Sequence, residues 1–166
     1  MRNLLVAAAL LLAGCSSQEL GPEWLPLETL QESQSMTVGL SSGGARTVGT
    51  VVYVKDLDEW LARHPEPLFS AVLRHEQVHA IRQLDEGVSA WVSRYLTDTD
   101  FMWGEEQLGW HQQLIHLQQS GYGVIPEGVA LILHDYKSLS GTMVTYQEAL
   151  EWVRQVLAGQ WSPSNP

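Results

Sequence analysis

The sequence predicts a small α+β domain that is mostly helical and carries a β-hairpin near its N-terminal end. Two β-branched segments separated by a glycine-containing turn predict the hairpin, and segments with helical periodicity follow them. The 166 residues are 45% hydrophobic and include 7 tryptophans, which is typical of a chain with an apolar core. No repeat or second break in composition interrupts residues 36–160, so we expect one domain there.

The predicted hairpin comprises residues 36–40, with the sequence MTVGL, and residues 47–54, with the sequence TVGTVVYV. Valine, threonine and tyrosine fit the pleated surface of a strand, so both segments are predicted as strands. The intervening SSGGAR contains the serine and glycine residues that favour turns. We therefore expect two paired strands joined by residues 41–46.

The rest of the chain is predicted to be helical. Pro67 fits the first turn of a helix. After it, four residues are spaced four, three and four positions apart, which places them on one face of a helix: Leu68, Val72, His75 and His79. Thr145 and Glu148 form a capping-box pattern at the start of the last helix. The other predicted helices comprise residues 86–97, 102–119 and 126–138.

The N-terminal segment has the features of an export signal. Arg2 precedes an apolar run over residues 4–12, which is too short to span a bilayer stably, and small residues follow it. Residues 12–15, Leu-Ala-Gly-Cys, resemble the lipobox of bacterial lipoproteins. The resemblance implies cleavage before Cys15, diacylglycerol on its sulfur and acylation, for example with palmitate, of the new amino terminus. The alternative is an ordinary secretory signal in which Cys15 occurs by chance and is not lipidated.

Lipid on Cys15 is the expected membrane partner. Several acyl chains give stable anchoring, whereas a single chain binds only marginally. A formal charge of −10 argues against binding to nucleic acid and against electrostatic adhesion to anionic lipid. We therefore expect a signal peptide at residues 1–14, an anchor and tether at residues 15–35, and a C-terminal tail at residues 161–166.

Ser16 bears on localisation in the cell envelope. Serine rather than aspartate after the lipidated cysteine implies, by resemblance to Gram-negative sorting, an outer membrane protein that faces the periplasm. In a Gram-positive host the same signal implies the outer face of the plasma membrane. Cys15 is the only cysteine, so an intramolecular disulfide is excluded and a metal site must use histidine, carboxylate and water.

The segment HEQVH, residues 75–79, is the main candidate for chemistry. Residues four apart project from one face of a helix, so His75 and His79 can direct ring nitrogens at one metal ion. Glu76 is turned by about 100° from His75, which suits a general base that takes a proton from activated water. The alternative is a pair of core histidines satisfied by hydrogen bonds.

The same segment resembles the HExxH motif of the zincin metallopeptidases. The resemblance implies a small zincin-like domain, with the hairpin packed on the motif helix and one zinc ion per chain. It also implies a peptide or protein substrate that pairs with the edge of the sheet. Residues 103–110, with the pattern WxxExxGW, are similar to gluzincin-like domains of bacterial and phage genomes.

Glu106 is the expected third zinc ligand. In the gluzincin pattern a later helix supplies a glutamate, often with a small residue three positions on, and Gly109 occupies that position. Glycine within a helix costs about 1 kcal/mol, so Gly109 predicts close packing against another helix. Glu105 is an alternative ligand. Asp85 is another, since it stands at the metzincin ligand position, although Arg82 replaces that pattern's glycine.

The expected function is therefore a membrane-anchored, zinc-dependent peptidase with Glu76 as the general base. The alternatives are a non-catalytic lipoprotein stabilised by a metal and a metal-free interaction lipoprotein of the envelope, for instance one encoded by a phage. The sequence leaves the substrate and the oligomeric state open. Further candidates for stabilising an oxyanion are His111, His116, Tyr95 and Tyr122.

Overall fold

The structure, a computed structural model, describes residues 29–32, 44–54 and 56–163. Within these residues the chain is mostly helical with two small sheets, which confirms the predicted α+β class. The strands are β1 (Thr29–Glu32), β2 (Ala45–Val48), β3 (Val51–Val54), β4 (Lys137–Ser138) and β5 (Gly141–Thr142). The helices are α1 (Leu57–Arg63), α2 (Leu68–Glu86), α3 (Val88–Thr97), α4 (Thr99–Gln119), α5 (Pro126–His134) and α6 (Tyr146–Leu157).

The larger sheet has the strand order β1-β3-β2, with β1 parallel and β2 antiparallel to β3. The prediction of a single strand over residues 47–54 is wrong, because the chain turns at residues 49 and 50 and Val48 pairs with Val51. Gly49 has a φ of +60°, a conformation that glycine adopts without strain, so it interrupts the β-branched run. The strand predicted at residues 36–40 lies outside the described residues.

Strand β1 lies within residues 15–35, which the sequence analysis assigned to the anchor and tether. It pairs with β3 along its whole length, from Thr29 opposite Val51 to Glu32 opposite Val54. The folded part of the chain therefore begins before residue 36.

The helix that carries HEQVH is α2, and it is continuous from Leu68 to Glu86. Pro67 stands immediately before it rather than within its first turn. It is preceded by α1, which the sequence analysis did not predict and which Asp56 caps by accepting a hydrogen bond from the backbone of Glu59. Residues 64–67 separate α1 from α2.

The remaining helices agree with the prediction except at three ends. Helix α3 begins at Val88 rather than at residue 86, because α2 extends to Glu86 and Gly87, with a φ of +93°, separates the two helices. Helix α4 begins three residues earlier than predicted, because Asp98 accepts hydrogen bonds from the backbone N–H groups of Asp100 and Phe101. Helix α5 ends at His134 rather than at residue 138, since the chain there forms the small β4-β5 hairpin. The predicted capping box of α6 is present at Thr145.

The candidate site lies where α2 packs on α4, the most extensive contact between two elements of the described fold. Strand β2 and helix α3 also pack on α2, so the predicted contact of the hairpin with the HEQVH helix is present. An apolar core joins α4 to α5 and α6, and its fully buried members include Leu114, Ala130, Leu133, Ala149 and Val153. Among the described residues, no helix combines the length and apolar character needed to cross a bilayer.

Candidate metal centre

Three buried side chains converge between α2 and α4: His75, His79 and Glu106. The Nε2 atoms of His75 and His79 lie 2.9 Å apart. Oε2 of Glu106 lies 3.4 Å from Nε2 of His75, and Oε1 of Glu106 lies 3.3 Å from Nε2 of His79. The fold therefore brings together the three side chains that the sequence analysis expected as metal ligands, and this triad could hold a metal ion.

The spacing of the donor atoms fits a small tetrahedral ion. Bonds of about 2.0–2.1 Å from such an ion place neighbouring donor atoms about 3.3–3.4 Å apart. The separation of 3.4 Å between Oε2 of Glu106 and Nε2 of His75 matches this spacing, whereas the two Nε2 atoms would move apart by about 0.4 Å. Oε2 of Glu106 is buried and has no hydrogen-bond partner among the described residues. A cation beside it would satisfy this atom.

Glu106 carries a negative charge in this site. Burial alone would raise its pKa, but the imidazoles of His75 and His79, whose Nε2 atoms lie 3.4 and 3.3 Å from its oxygens, favour the negative charge and hold the pKa well below its ordinary value. The pKa of His79 moves the other way: burial lowers it, but the hydrogen bond to Glu106 and nearby carboxylate charges raise it overall. The triad is therefore strongly polarised and favours a positive charge at its centre.

Gln113 orients the first histidine. Nδ1 of His75 lies 3.1 Å from Oε1 of Gln113, and both side chains are buried. Because an amide oxygen only accepts, Nδ1 donates and the lone pair is left on Nε2, the atom that faces the triad. Gln113 was not predicted from the sequence. Its position on α4, seven residues after Glu106, is the signal that could have found it, since seven residues are two helical turns.

Gly109 makes room for the imidazole of His75. A Cβ atom at this position would lie 2.8 Å from both Cδ2 and Nε2 of His75 and 3.0 Å from Cγ. The close packing predicted from Gly109 is therefore present, and the neighbour is a side chain of the triad. The small residue three positions after Glu106 thus has a steric function in this fold.

Glu76 is buried and is held by the hairpin. Thr47, on strand β2, donates a hydrogen bond of 2.6 Å from Oγ1 to Oε2 of Glu76. Gln83 fastens the same strand to α2, since its Nε2 donates to the carbonyl oxygen of Thr47 at 3.0 Å. Its Oε1 also accepts from the backbone N–H of Gly49 at 2.9 Å. The hairpin therefore fixes the carboxylate that the sequence analysis expected to act as a base.

The two alternative third ligands have other positions. Glu105 is buried and accepts from Arg82, whose Nη2 lies 2.7 Å from its Oε1 and whose Nε lies 3.1 Å from the same oxygen. Asp85 is exposed near the end of α2, because this helix continues without a turn through Arg82. Of the three candidates, only Glu106 belongs to the group of side chains that could hold a metal.

Aromatic side chains line the triad. Trp91 packs 5.4 Å from the ring of His79 and Trp110 packs 5.5 Å from the ring of His75, measured between ring centroids. The hydroxyl of Tyr95 donates a hydrogen bond to Oε1 of Glu106. Burial, followed by the charge of Glu106, raises the pKa of Tyr95 well above its ordinary value, so the hydroxyl remains a donor. Tyr95 was one of several candidates for an oxyanion donor, and in this structure its hydroxyl binds the carboxylate of Glu106.

The other candidates for an oxyanion donor have other surroundings. His111 packs against Trp161 with 5.2 Å between the ring centroids, and burial lowers its pKa. Tyr122 lies beyond the end of α4 and 43% of its surface is exposed. The pKa of His116 is also lowered, first by burial and then by the charge of Arg74.

No protein-family model matches the chain, and neither a curated protein nor a solved structure matches it. The lipobox pattern at residues 12–15 lies outside the described residues. The donor set of two imidazoles and one carboxylate, with buried Glu76 next to His75 on α2, is therefore the basis for a functional proposal.

Proposed function

We propose that this protein is a zinc-dependent peptidase of the cell envelope. The observation that carries the proposal is the convergence of His75, His79 and Glu106 in one buried site, with Glu76 adjacent on the same helix. Two histidines and one glutamate form a donor set of catalytic zinc sites, which keep a further position for water or substrate. The chain offers no thiolate for a metal in this domain, since its one cysteine is Cys15.

Bound zinc would polarise the scissile carbonyl group and acidify water. The residues of this chain supply the rest of the proposed mechanism. Glu76 accepts a proton from the attacking water and passes it to the leaving amine. Because Thr47 occupies Oε2 of Glu76, we expect Oε1 to carry this proton. Gln113 and Gly109 keep the ring of His75 oriented with Nε2 toward the site.

We propose an extended peptide as the substrate. Strand β2 lies at the end of the strand order β1-β3-β2, so among the described residues one of its edges has no paired strand. An extended peptide can add to such an edge through backbone hydrogen bonds. Thr47 belongs to β2 and binds Glu76, so a peptide paired with this strand would pass beside the proposed base.

The replacement Glu76→Gln tests the catalytic part of the proposal. Glutamine keeps the shape of the side chain and can still accept the hydrogen bond of Thr47, but it takes up no proton. We expect one zinc ion per chain, an unchanged unfolding temperature and loss of hydrolysis of an unfolded protein substrate such as reduced casein. Exposed Glu151→Gln is the matched control and should retain activity. Equal hydrolysis by both variants would contradict the role of Glu76.

A structural metal site is the second candidate, because the triad is almost fully buried. The side chains of His75, His79 and Glu106 are only 6%, 7% and 2% exposed. Such a site would stabilise a domain that has no disulfide. It predicts zinc in the wild type and in Glu76→Gln, with hydrolysis in neither, and this result separates it from the peptidase.

We also propose that lipid on Cys15 attaches the protein to a membrane. The proposal rests on the lipobox pattern and on the apolar run before it. In cells of the native host fed labelled palmitate, the wild type should incorporate label and sediment with membranes. Cys15→Ser should do neither, and labelling of this variant would contradict the assignment. For a Gram-negative host we propose the outer membrane, with the domain in the periplasm.

A further inference from the structure

The two oxygens of the Glu106 carboxylate have different surroundings. Oε1 accepts a hydrogen bond from the hydroxyl of Tyr95 on α3. Oε2 is buried, lies 3.4 Å from Nε2 of His75 and has no hydrogen-bond partner among the described residues. One oxygen is therefore already engaged by the protein, and the other is available.

The ring of Tyr95 is held in place by its neighbours. It stacks on Trp91, one helical turn earlier on α3, with 4.7 Å between ring centroids and an interplanar angle of 17°. Trp91 in turn packs edge-on against Phe101 on α4 at 5.9 Å. Tyr95 also meets the ring of His79 at 6.1 Å. Stacking of this kind restricts the ring, so the hydroxyl is directed at Glu106 before any ligand binds.

We propose that Tyr95 is a positioning residue that holds Oε1 of Glu106 in a hydrogen bond, so that only Oε2 of the carboxylate binds the metal ion. This inference rests on the proposed metal site and adds how one of its ligands is oriented. A carboxylate with two unengaged oxygens can bind a metal ion through both of them. Holding one oxygen in a hydrogen bond keeps a position at the ion free for water or substrate.

Cobalt(II) is the probe that tests this role, since its visible absorption reports the coordination number and is stronger for four ligands than for five or six. The variant is Tyr95→Phe, which removes only the hydroxyl. Tyr146→Phe is the matched control, because Tyr146 packs against the core cluster joining α4, α5 and α6 and also loses one hydroxyl. Affinity is measured by competition with a chromophoric chelator, and folding is checked by circular dichroism.

We expect Tyr95→Phe to bind one cobalt ion per chain with weaker visible absorption and with about 10–100-fold lower affinity, the usual effect of losing a hydrogen bond to a metal ligand. Tyr146→Phe should match the wild type. Wild-type absorption and affinity in Tyr95→Phe would overturn the inference while leaving the metal site intact. If the wild type and the control take up no cobalt, the proposed metal site itself fails, and the role of Tyr95 fails with it.

X-ray absorption on the zinc-loaded wild type tests the same inference without a variant, which covers the case in which Tyr95→Phe does not fold. A spectrum fitted by one carboxylate oxygen at about 2.0–2.2 Å supports the proposal. A spectrum that requires both oxygens of the carboxylate at bonding distance overturns it.

Discussion

A single methyl group added at Gly109 should disturb the metal site directly. In Gly109→Ala the new Cβ would lie 2.8 Å from Nε2 of His75, whereas ordinary contacts begin at 3.4 Å. The imidazole must therefore move by about 0.6 Å, which exceeds the roughly 0.2 Å tolerance of metal–ligand distances. Gln113 holds the opposite side of the ring at 3.1 Å, so the movement also strains this hydrogen bond.

Gly104→Ala is the matched control, since it lies on the same helix and its Cβ would meet nothing within 4 Å. Both replacements gain about 1 kcal/mol of helix propensity. Only Gly109→Ala adds the cost of overpacking, which is about 1–3 kcal/mol. We therefore expect its free energy of unfolding to lie about 1–3 kcal/mol below that of Gly104→Ala when both are measured by urea titration without metal.

Zinc affinity, measured by competition with a chelator, is the decisive measurement for this pair. Gly104→Ala should bind zinc as the wild type does. Gly109→Ala should bind zinc at least about 10-fold more weakly, because the displaced ring of His75 loses the orientation that metal binding requires. If both variants bind zinc equally well, the Nε2 of His75 is not a metal ligand, and the steric reasoning about Gly109 is refuted.

Three further predictions concern neighbouring groups. Gln113→Leu should weaken zinc binding about 10–100-fold in a chelator competition, because Nδ1 of His75 loses its acceptor. Arg82→Met should lower the free energy of unfolding by roughly 1–2 kcal/mol in urea, less than for a fully buried pair because Arg82 is 34% exposed, and should leave zinc stoichiometry unchanged. Without metal, the stability that His79 contributes should be complete below pH 6.5 and decline as pH rises through its raised pKa.

Each of these predictions has a contrary outcome. Wild-type zinc affinity in Gln113→Leu would show that this amide does not orient His75. Loss of zinc from Arg82→Met would mean that the Glu105 pair belongs to the metal site. The pH trend should reverse in zinc-saturated protein, because protons compete with the metal for the histidines. The same trend with and without zinc would contradict metal binding at His79.

The helical spacing of HEQVH was sufficient to predict that His75 and His79 share a face, because residues four apart on a helix always do. The choice of Glu106 rested on the resemblance to the gluzincin pattern, in which a small residue follows three positions later, and in this fold that residue, Gly109, lies against the ring of His75. The side chains that orient the triad were harder to predict. Gln113 lies on α4 and its partner His75 lies on α2, so the spacing of Gln113 from Glu106 places both on one face of α4 but does not reveal this hydrogen bond.

The hairpin shows a second limit of sequence reasoning. The run TVGTVVYV has strand propensity throughout, but Gly49 permits a turn with positive φ and divides it into β2 and β3. The run alone cannot indicate this, because glycine also occurs within strands. In the folded protein the side chain of Gln83 stabilises this turn, since it hydrogen-bonds to the backbone of both Gly49 and Thr47. Such a tertiary contact, 34 and 36 residues away in sequence, is not visible in local propensity.

The metal content of the purified chain tests the central claim most directly. Wild type, His79→Ala and Glu106→Ala are supplied with zinc and passed over a desalting column, and their zinc content is measured by inductively coupled plasma mass spectrometry. We predict one zinc ion per wild-type chain, none in His79→Ala and weakened retention in Glu106→Ala. A wild type that retains no metal would contradict the claim and would leave HEQVH as part of a metal-free helix.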